Sequence, residues 1–371
     1  MPPSALSHAI GRRRIVLTIA ILGIVPAFAA TNALVGSARQ SRQELASRWA
    51  QQGQRDLTAG RAAEAADDFR TAQEYARNRG EYRLQLAEAL IAANRFVEAQ
   101  SQLLTLWTQT PGDGIVNRAL ARIAARDDDV PDAVRYYHGA IDGAWQGPAV
   151  VERRQTRSEL ARFLLRQGDK TQAHAELIAL IGDLPSDPAA MTDAAALLLQ
   201  ADADTQALAL LRNALELDPH NGRARRLAGE AEFNTGDYRA ARTDLADAAD
   251  ALRLDARGEQ LLDLSTRVLD LDPFARRISS RERLRRIVRV FGVAREALGR
   301  CAPGTQAELR SRVDALQPKI AERTLARDPD LVDAALALIT SVEQTTSAAC
   351  GPPQGDALAL QLVLRQRRAA S

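Results

Sequence analysis

The sequence predicts an all-α fold: an array of antiparallel helical hairpins, preceded by an apolar N-terminal helix and closed by a helical C-terminal region. Three observations predict it. Helix-favouring residues dominate the composition, one 34-residue pattern recurs six times between residues 46 and 255, and residues 15–36 form a 22-residue run without a charge.

Hydrophobic residues make up 46% and charged residues 26%, the balance of an ordered globular protein. Ala, Leu, Arg and Glu lose little side-chain freedom in a helix, and few β-branched runs compete with them. Of 49 basic residues only Lys170 and Lys319 are lysines, which, with the Ala excess, reads as the codon bias of a GC-rich bacterium. A net charge of +2 argues against a nucleic-acid partner, because neutralising phosphates takes a concentrated basic surface. Nucleophile elbows, phosphate loops and zinc motifs are absent, and His8, His138, His174 and His220 have no partner at i+3 or i+4. The expectation is a protein without catalytic residues, metal, cofactor or small-molecule substrate.

Residues 15–36, IVLTIAILGIVPAFAATNALVG, follow Arg12, Arg13 and Arg14. About 20 apolar residues at 1.5 Å rise cross a hydrocarbon layer about 30 Å thick. Arginines directly before the run favour a cytoplasmic tail over residues 1–14 and a body on the far side of the membrane. A second reading competes. The apolar core ends as early as Val25, and Pro26-Ala27-Phe28-Ala29-Ala30 has the small residues of a signal-peptide cleavage site. Both readings send the bulk of the protein across the bacterial inner membrane, either tethered by a single span or released into the periplasm.

The repeats begin at Ala46, Gly80, Gly114, Arg154, Pro188 and Gly222, giving spans 46–79, 80–113, 114–147, 154–187, 188–221 and 222–255, with six residues, Pro148 to Arg153, inserted ahead of the fourth. The eighth position is Gly or Ala throughout (Gly53, Ala87, Ala121, Ala161, Ala195, Gly229), and the twentieth is Ala in all six. The twenty-fourth is large and apolar: Phe69, Leu103, Tyr137, Leu177, Leu211, Leu245. Two antiparallel helices approach closely only where small side chains sit at the crossing, and the large residue fills the space toward the next hairpin. Gly60, Asn94, Gly168 and Gly236 mark the turn between the two helices, where a left-handed backbone is needed; Asp128 and Asp202 stand there in the third and fifth hairpins as departures. Pro111, Pro185 and Pro219 close three of the repeats.

On these small, small, large and Pro positions at this period, residues 46–255 resemble the tetratricopeptide repeat family, of a membrane-anchored bacterial type. The resemblance implies a right-handed superhelical solenoid whose concave groove, lined by the first helix of each hairpin, holds a protein segment.

Residues 256–371 lose the phase and are expected to form a helical C-terminal region that covers the last hairpin. Leu261 to Asp272 continues as helix, and Ser279-Ser280-Arg281-Glu282 is a capping-box pattern. Further helices are expected over Ala307–Ala326, Pro329–Thr345 and Gly355–Arg368.

By the resemblance, groove positions place Arg118, Arg122 and Arg126 on one helical face, Arg162 and Arg166 on the next first helix, and Arg223 and Arg226 on the sixth. Guanidiniums bind carboxylates in a fork, so the groove suits an acidic segment or a peptide C-terminus. The plainer reading is a solvated face paired with Asp127, Asp128 or Glu159, and Glu81 and Glu88 interrupt the basic character in the second repeat. Phe233 stands nearly alone as a groove aromatic. Arg276 to Arg289 holds seven arginines against Glu282, and reads as a solvated helix face or a surface for an acidic partner or lipid headgroups. Asp127-Asp128-Asp129 turns the backbone, and Trp145 is either an interface anchor or packing at the inserted joint. Cys301 and Cys350 are a disulfide candidate, closing a loop worth about 4 kcal/mol in the chain-entropy account; unpaired buried thiols are the alternative. The function expected is a membrane-tethered scaffold for protein–protein interaction, with an accessory role in envelope assembly or polysaccharide or lipid export as the alternative.

Overall fold

The computed structural model describes residues 4–251, 253–301 and 306–369, and of residues 4–27, 29 and 30 only the course of the backbone. The regular elements among the described residues are helices, joined at one place by an isolated bridge between Asp113 and Ala144. The protein divides into two compact units, Met1–Leu160 and Ala161–Ser371.

The first unit holds α1 (Ser4–Thr58), α2 (Ala62–Tyr75), α3 (Gly80–Ala92), α4 (Phe96–Gln109), α5 (Gly114–Arg126), α6 (Val130–Ile141) and most of α7 (Ala149–Arg166). Each helix from α1 to α5 packs on the next. Phe69, Leu86, Leu90, Leu103 and Leu120 form its fully buried core with the repeat alanines Ala65, Ala99 and Ala133. Gly53 shows why the eighth position is small: a β-carbon there would lie 3.1 Å from the Phe69 ring and 3.2 Å from the Ala65 carbonyl. The side chains of most of the expected span 15–36, and all of the 1–14 tail's, lie outside the described residues; Phe28 and residues 31–36 are exposed. Among the described residues no helix is long and apolar enough to cross a membrane.

Before the fourth repeat, the Asp113–Ala144 bridge (Gly114 N–H to the Ala144 carbonyl 2.9 Å, Ala144 N–H to the Gly112 carbonyl 2.8 Å) closes the joint. Trp145 packs there, its indole N–H donating to the Ala140 carbonyl at 2.9 Å and its ring so close to Gly114 that a β-carbon would overlap it. Of the inserted residues, Pro148 precedes α7 and the other five, through Arg153, form its N-terminal end.

The second unit continues with α8 (Lys170–Gly182), α9 (Pro188–Gln200), α10 (Asp204–Leu217), α11 (Gly222–Thr235) and α12 (Tyr238–Ala251). It ends with α13 (Ala256–Leu271), α14 (Ser280–Gly299), α15 (Ala307–Leu316), α16 (Glu322–Leu325), α17 (Pro329–Ala349) and α18 (Asp356–Ala369). The expected single helix over Ala307–Ala326 is interrupted. Pro318 lacks the N–H that would continue α15, and Gln317–Lys319 form a 3₁₀ turn before α16. Val268, Leu271, Val290, Phe291, Leu338, Ile339, Leu360 and Val363 build one core that also takes Tyr238 of the sixth hairpin. Gln366 donates to the Gly236 carbonyl at 3.1 Å, fixing α18 on that hairpin's turn. Cys301 and Cys350 are disulfide-bonded with Cα atoms 5.1 Å apart, joining the ends of α14 and α17.

All six hairpin turns have one conformation. Gly60, Asn94, Asp128, Gly168, Asp202 and Gly236 each take a positive φ, between 55° and 88°. In each, the next residue's N–H reaches back five residues: Arg61 to Asp56, Arg95 to Leu90, Asp129 to Ala124, Asp169 to Leu164, Ala203 to Leu198 and Asp237 to Glu232, all at 2.8–2.9 Å. This is the closure that satisfies orphan carbonyls at a helix end. Asp128 and Asp202, departures in sequence, keep the geometry because Asp tolerates the left-handed region. Asp127-Asp128-Asp129 divides its work: Asp127 ends α5, Asp128 supplies the left-handed residue, and Asp129 caps α6 by accepting from the Asp132 N–H.

Candidate functional site

The candidate groove arginines of the first unit sit on α5, where Asp113 caps the helix by accepting from Ile115 and Val116 N–H. Arg118 donates to Glu152 of α7 at 2.6 Å and lies 4.6 Å from the Trp145 ring centroid. Arg122 forks onto Glu159 of α7, with Nε 2.8 Å and Nη2 2.5 Å from its two oxygens. Arg126 bonds Asp127 at 2.7 Å and stacks 3.8 Å from the Phe96 ring centroid. These guanidiniums therefore share one face but are already engaged by carboxylates. Asp127 and Glu159 are partners that the solvated-pairing reading names; Glu152, in the inserted segment, is one that it does not.

The remaining candidates lie in the second unit. Arg162 is exposed and makes no side-chain hydrogen bond or ion pair among the described residues, and Arg166 lies 5.8 Å from the Phe163 ring centroid. Arg226 pairs with Glu230 at 3.2 Å and approaches Asp255 at 3.8 Å, while Arg223 bonds Asp193 of α9 at 2.6 Å. Lys170 bonds Asp202 at 2.6 Å in the same manner. Arg118–Glu152, Arg223–Asp193 and Lys170–Asp202 are separated by 34, 30 and 32 residues. Opposite charges about one period apart were the signal available in the sequence, since neighbouring hairpins bring such positions together.

Between α3 and α5 the first unit has a cavity of about 240 Å³. Ile91, Phe96, Ile115, Ala119 and Ile123 give it an apolar floor, and Glu88, Arg118 and Arg122 stand at its rim. Burial pushes the Glu88 carboxyl above its ordinary pKa. Arg122 remains about half exposed in spite of its fork. A guanidinium carries five donors and Glu159 takes two, so the site has an apolar hole beside unspent donors.

The Arg276–Arg289 run is partly internal. Arg286 is largely buried and donates to the carbonyls of Leu269 at 2.7 Å and Asp272 at 2.9 Å, capping the end of α13. Ser279 caps α14 by accepting from the Glu282 N–H at 3.1 Å, whereas the Glu282 carboxylate bonds Arg285 and Arg286 and does not complete the reciprocal box. Phe233, expected as a groove aromatic, packs edge-on against Tyr238 with centroids 5.2 Å apart and joins the C-terminal core.

The family model described as tetratricopeptide repeat matches residues 56–123, a stretch that includes α3, α4 and the cavity between α3 and α5. No curated protein sequence matches this one. Among solved structures, the protein is similar to YrrB, described as a TPR protein with an unusual peptide-binding site (16% identity, TM-score 0.42, covering 52% of this chain and 96% of that one). It is also similar to the C-terminal part of a TPR repeat-containing protein from Cytophaga hutchinsonii (13% identity, TM-score 0.46, 76% and 98%). A third is pilF of Pseudomonas aeruginosa (15% identity, TM-score 0.43, 59% and 97%).

Proposed function

We propose that this protein is a membrane-tethered scaffold that holds a protein partner on the periplasmic side. The observation that carries the reading is the cavity between α3 and α5 inside the stretch that matches the repeat family. Its apolar floor suits one apolar side chain of an extended or helical segment. The rim suits a carboxylate next to that side chain, because Arg122 keeps donors beyond those that Glu159 uses and Arg126 is more than half exposed over Phe96. The partner segment is then an acidic stretch or a C-terminal peptide with an apolar residue beside its charge.

The tether rests on the 22-residue uncharged run after Arg12, Arg13 and Arg14. The compartment rests on Cys301–Cys350, because disulfides persist in oxidising spaces such as the periplasm.

A photoreactive residue in place of Ala119, at the cavity floor, tests the reading in native membranes. Crosslinking should yield a discrete partner that is lost with Arg122→Glu. Reversal of Arg162 in a separate variant asks whether the second unit contributes. A partner yield unchanged by Arg122→Glu removes the groove from the reading.

A further inference from the structure

The C-terminal helices contain a second cavity, of about 180 Å³, bounded by the end of α14, the end of α17, the start of α18 and the segment Gly351–Gln354. It belongs to neither the hairpin array nor the groove. Its size follows from small side chains: Ala294, Ala297 and Ala357 line it where larger residues would close it. One wall is held in place by the disulfide, because Cys350 both lines the cavity and anchors the start of the Gly-Pro-Pro segment to α14.

Several polar side chains that line it have bonding capacity that no protein group among the described residues uses. Gln361 is 8% exposed and its side chain makes no hydrogen bond among the described residues, although its amide offers two donors and an acceptor. Glu343 is 6% exposed; its Oε2 accepts from Arg368 at 2.9 Å, while Oε1 has no protein partner among the described residues. Arg300, also lining the cavity, is exposed and has neither ion pair nor side-chain hydrogen bond among the described residues. The two buried groups are not sealed off as orphans in a dry core, since both line the cavity. Carboxylate and amide groups that open into a cavity leave bonds there for solvent or a ligand to fill.

The charges define what fits. Arg368 already balances Glu343, so Arg300 is the cation left over, and a carboxylate is its natural partner. Oε1 of Glu343 and the carbonyl of Gln361 accept, so the same ligand needs a donor group, best an ammonium. The volume lies below the roughly 300 Å³ at which drug-sized sites begin. We propose that this cavity binds a small zwitterion, an α-amino acid, with its carboxylate on Arg300 and its ammonium on Glu343 and Gln361.

The test is saturation-transfer NMR on the intact protein with L-serine and L-glutamine as probes, each beside its amide and its N-acetyl derivative. At least one free amino acid should bind, and its amide and N-acetyl form should not. Arg300→Ala, a surface change, should weaken binding by at least about tenfold. Ala297→Phe should abolish it by filling the cavity while the protein still melts cooperatively. Glu343→Gln should lose ammonium recognition, and the other two variants stand if loss of the Glu343–Arg368 ion pair prevents folding. Failure of both probes to bind at about 10 mM, or binding that survives both Arg300→Ala and Ala297→Phe, overturns the proposal. Equal binding of the amide and N-acetyl forms overturns the zwitterion assignment.

Discussion

Gly229 on α11 faces Leu245 on α12 so closely that a β-carbon at 229 would stand 2.6 Å from the Leu245 Cγ and 3.2 Å from the Ala241 carbonyl. Leu245 is fully buried and cannot swing away without moving its neighbours. Gly229→Ala should therefore destabilise by about 1–3 kcal/mol, as overpacking does. Gly53→Ala meets Phe69 at 3.1 Å and should cost less. Chemical denaturation of both variants checks the order, and an unchanged midpoint for Gly229→Ala would show that the hairpin is not held at this crossing.

The sixth hairpin also buries acids against each other. Desolvation first, and then Asp244, push the Glu232 carboxyl from 4.5 up to about 7; Arg212, 3.6 Å away, opposes this weakly, and Arg225 pairs with Asp244 rather than Glu232. Glu232 is 3% exposed, and its Oε2 makes no hydrogen bond. A raised acid holds its proton in the folded state while the unfolded protein has released it. Stability should thus fall as pH rises from about 4.5 to about 7 and level off above. Glu232→Gln should flatten that part of the profile; thermal melts across pH 4.5–8 measure it. A wild-type profile that rises over the window would contradict the assignment.

The same two positions recur in the first hairpin. Asp56 and Asp68 occupy the places that Glu232 and Asp244 hold in the sixth. There Arg61, the first of its causes, holds Asp56 below the ordinary carboxylate value, while burial and Asp56 raise Asp68. Arg61→Ala should release the pair and shift stability toward lower pH, because Asp56 then loses the charge that keeps it ionised. A melt profile insensitive to Arg61→Ala would show that the pair is solvated.

Cys301 and Cys350 close a 49-residue loop that contains α15, α16 and α17. Cross-linking a loop of this length stabilises by about 4 kcal/mol in the chain-entropy account. Reduction should lower the melting transition, and hydrogen exchange should rise in α14 to α18 with little change in α3 to α6. Equal loss of protection in both units would mean that the bond supports more than its own bundle.

How much of this was legible in the sequence follows from the range of each interaction. The eighth, twentieth and twenty-fourth positions could be read because one hairpin brings Gly53, Ala65 and Phe69 together within a single period. Asp128 and Asp202 looked like departures, since residue type alone did not show that the turn needs only a side chain tolerant of positive φ. Pro318 was overlooked inside an apolar pattern that otherwise continued. Glu152 escaped because it lies in the inserted residues, outside the phase being counted. The cavity of Glu343, Gln361 and Arg300 was beyond reach: it is assembled by three helices whose packing no period dictates.

The fork of Arg122 on Glu159 separates two roles that a single charge reversal confounds. Arg122→Glu removes a donor from the cavity rim and also sets two carboxylates against each other between α5 and α7. The exchange Arg122→Glu with Glu159→Arg restores an ion pair across the helices but moves the cation from α5 to α7. Half-exposed pairs of this kind contribute about 0.2–1 kcal/mol, so the exchanged protein should melt within about 1 kcal/mol of the parent. If the rim guanidinium binds the partner, the exchanged protein stays folded and fails to capture it. Capture restored by the exchange would instead assign Arg122 to holding the hairpins together, and the partner would have to be sought elsewhere on the protein.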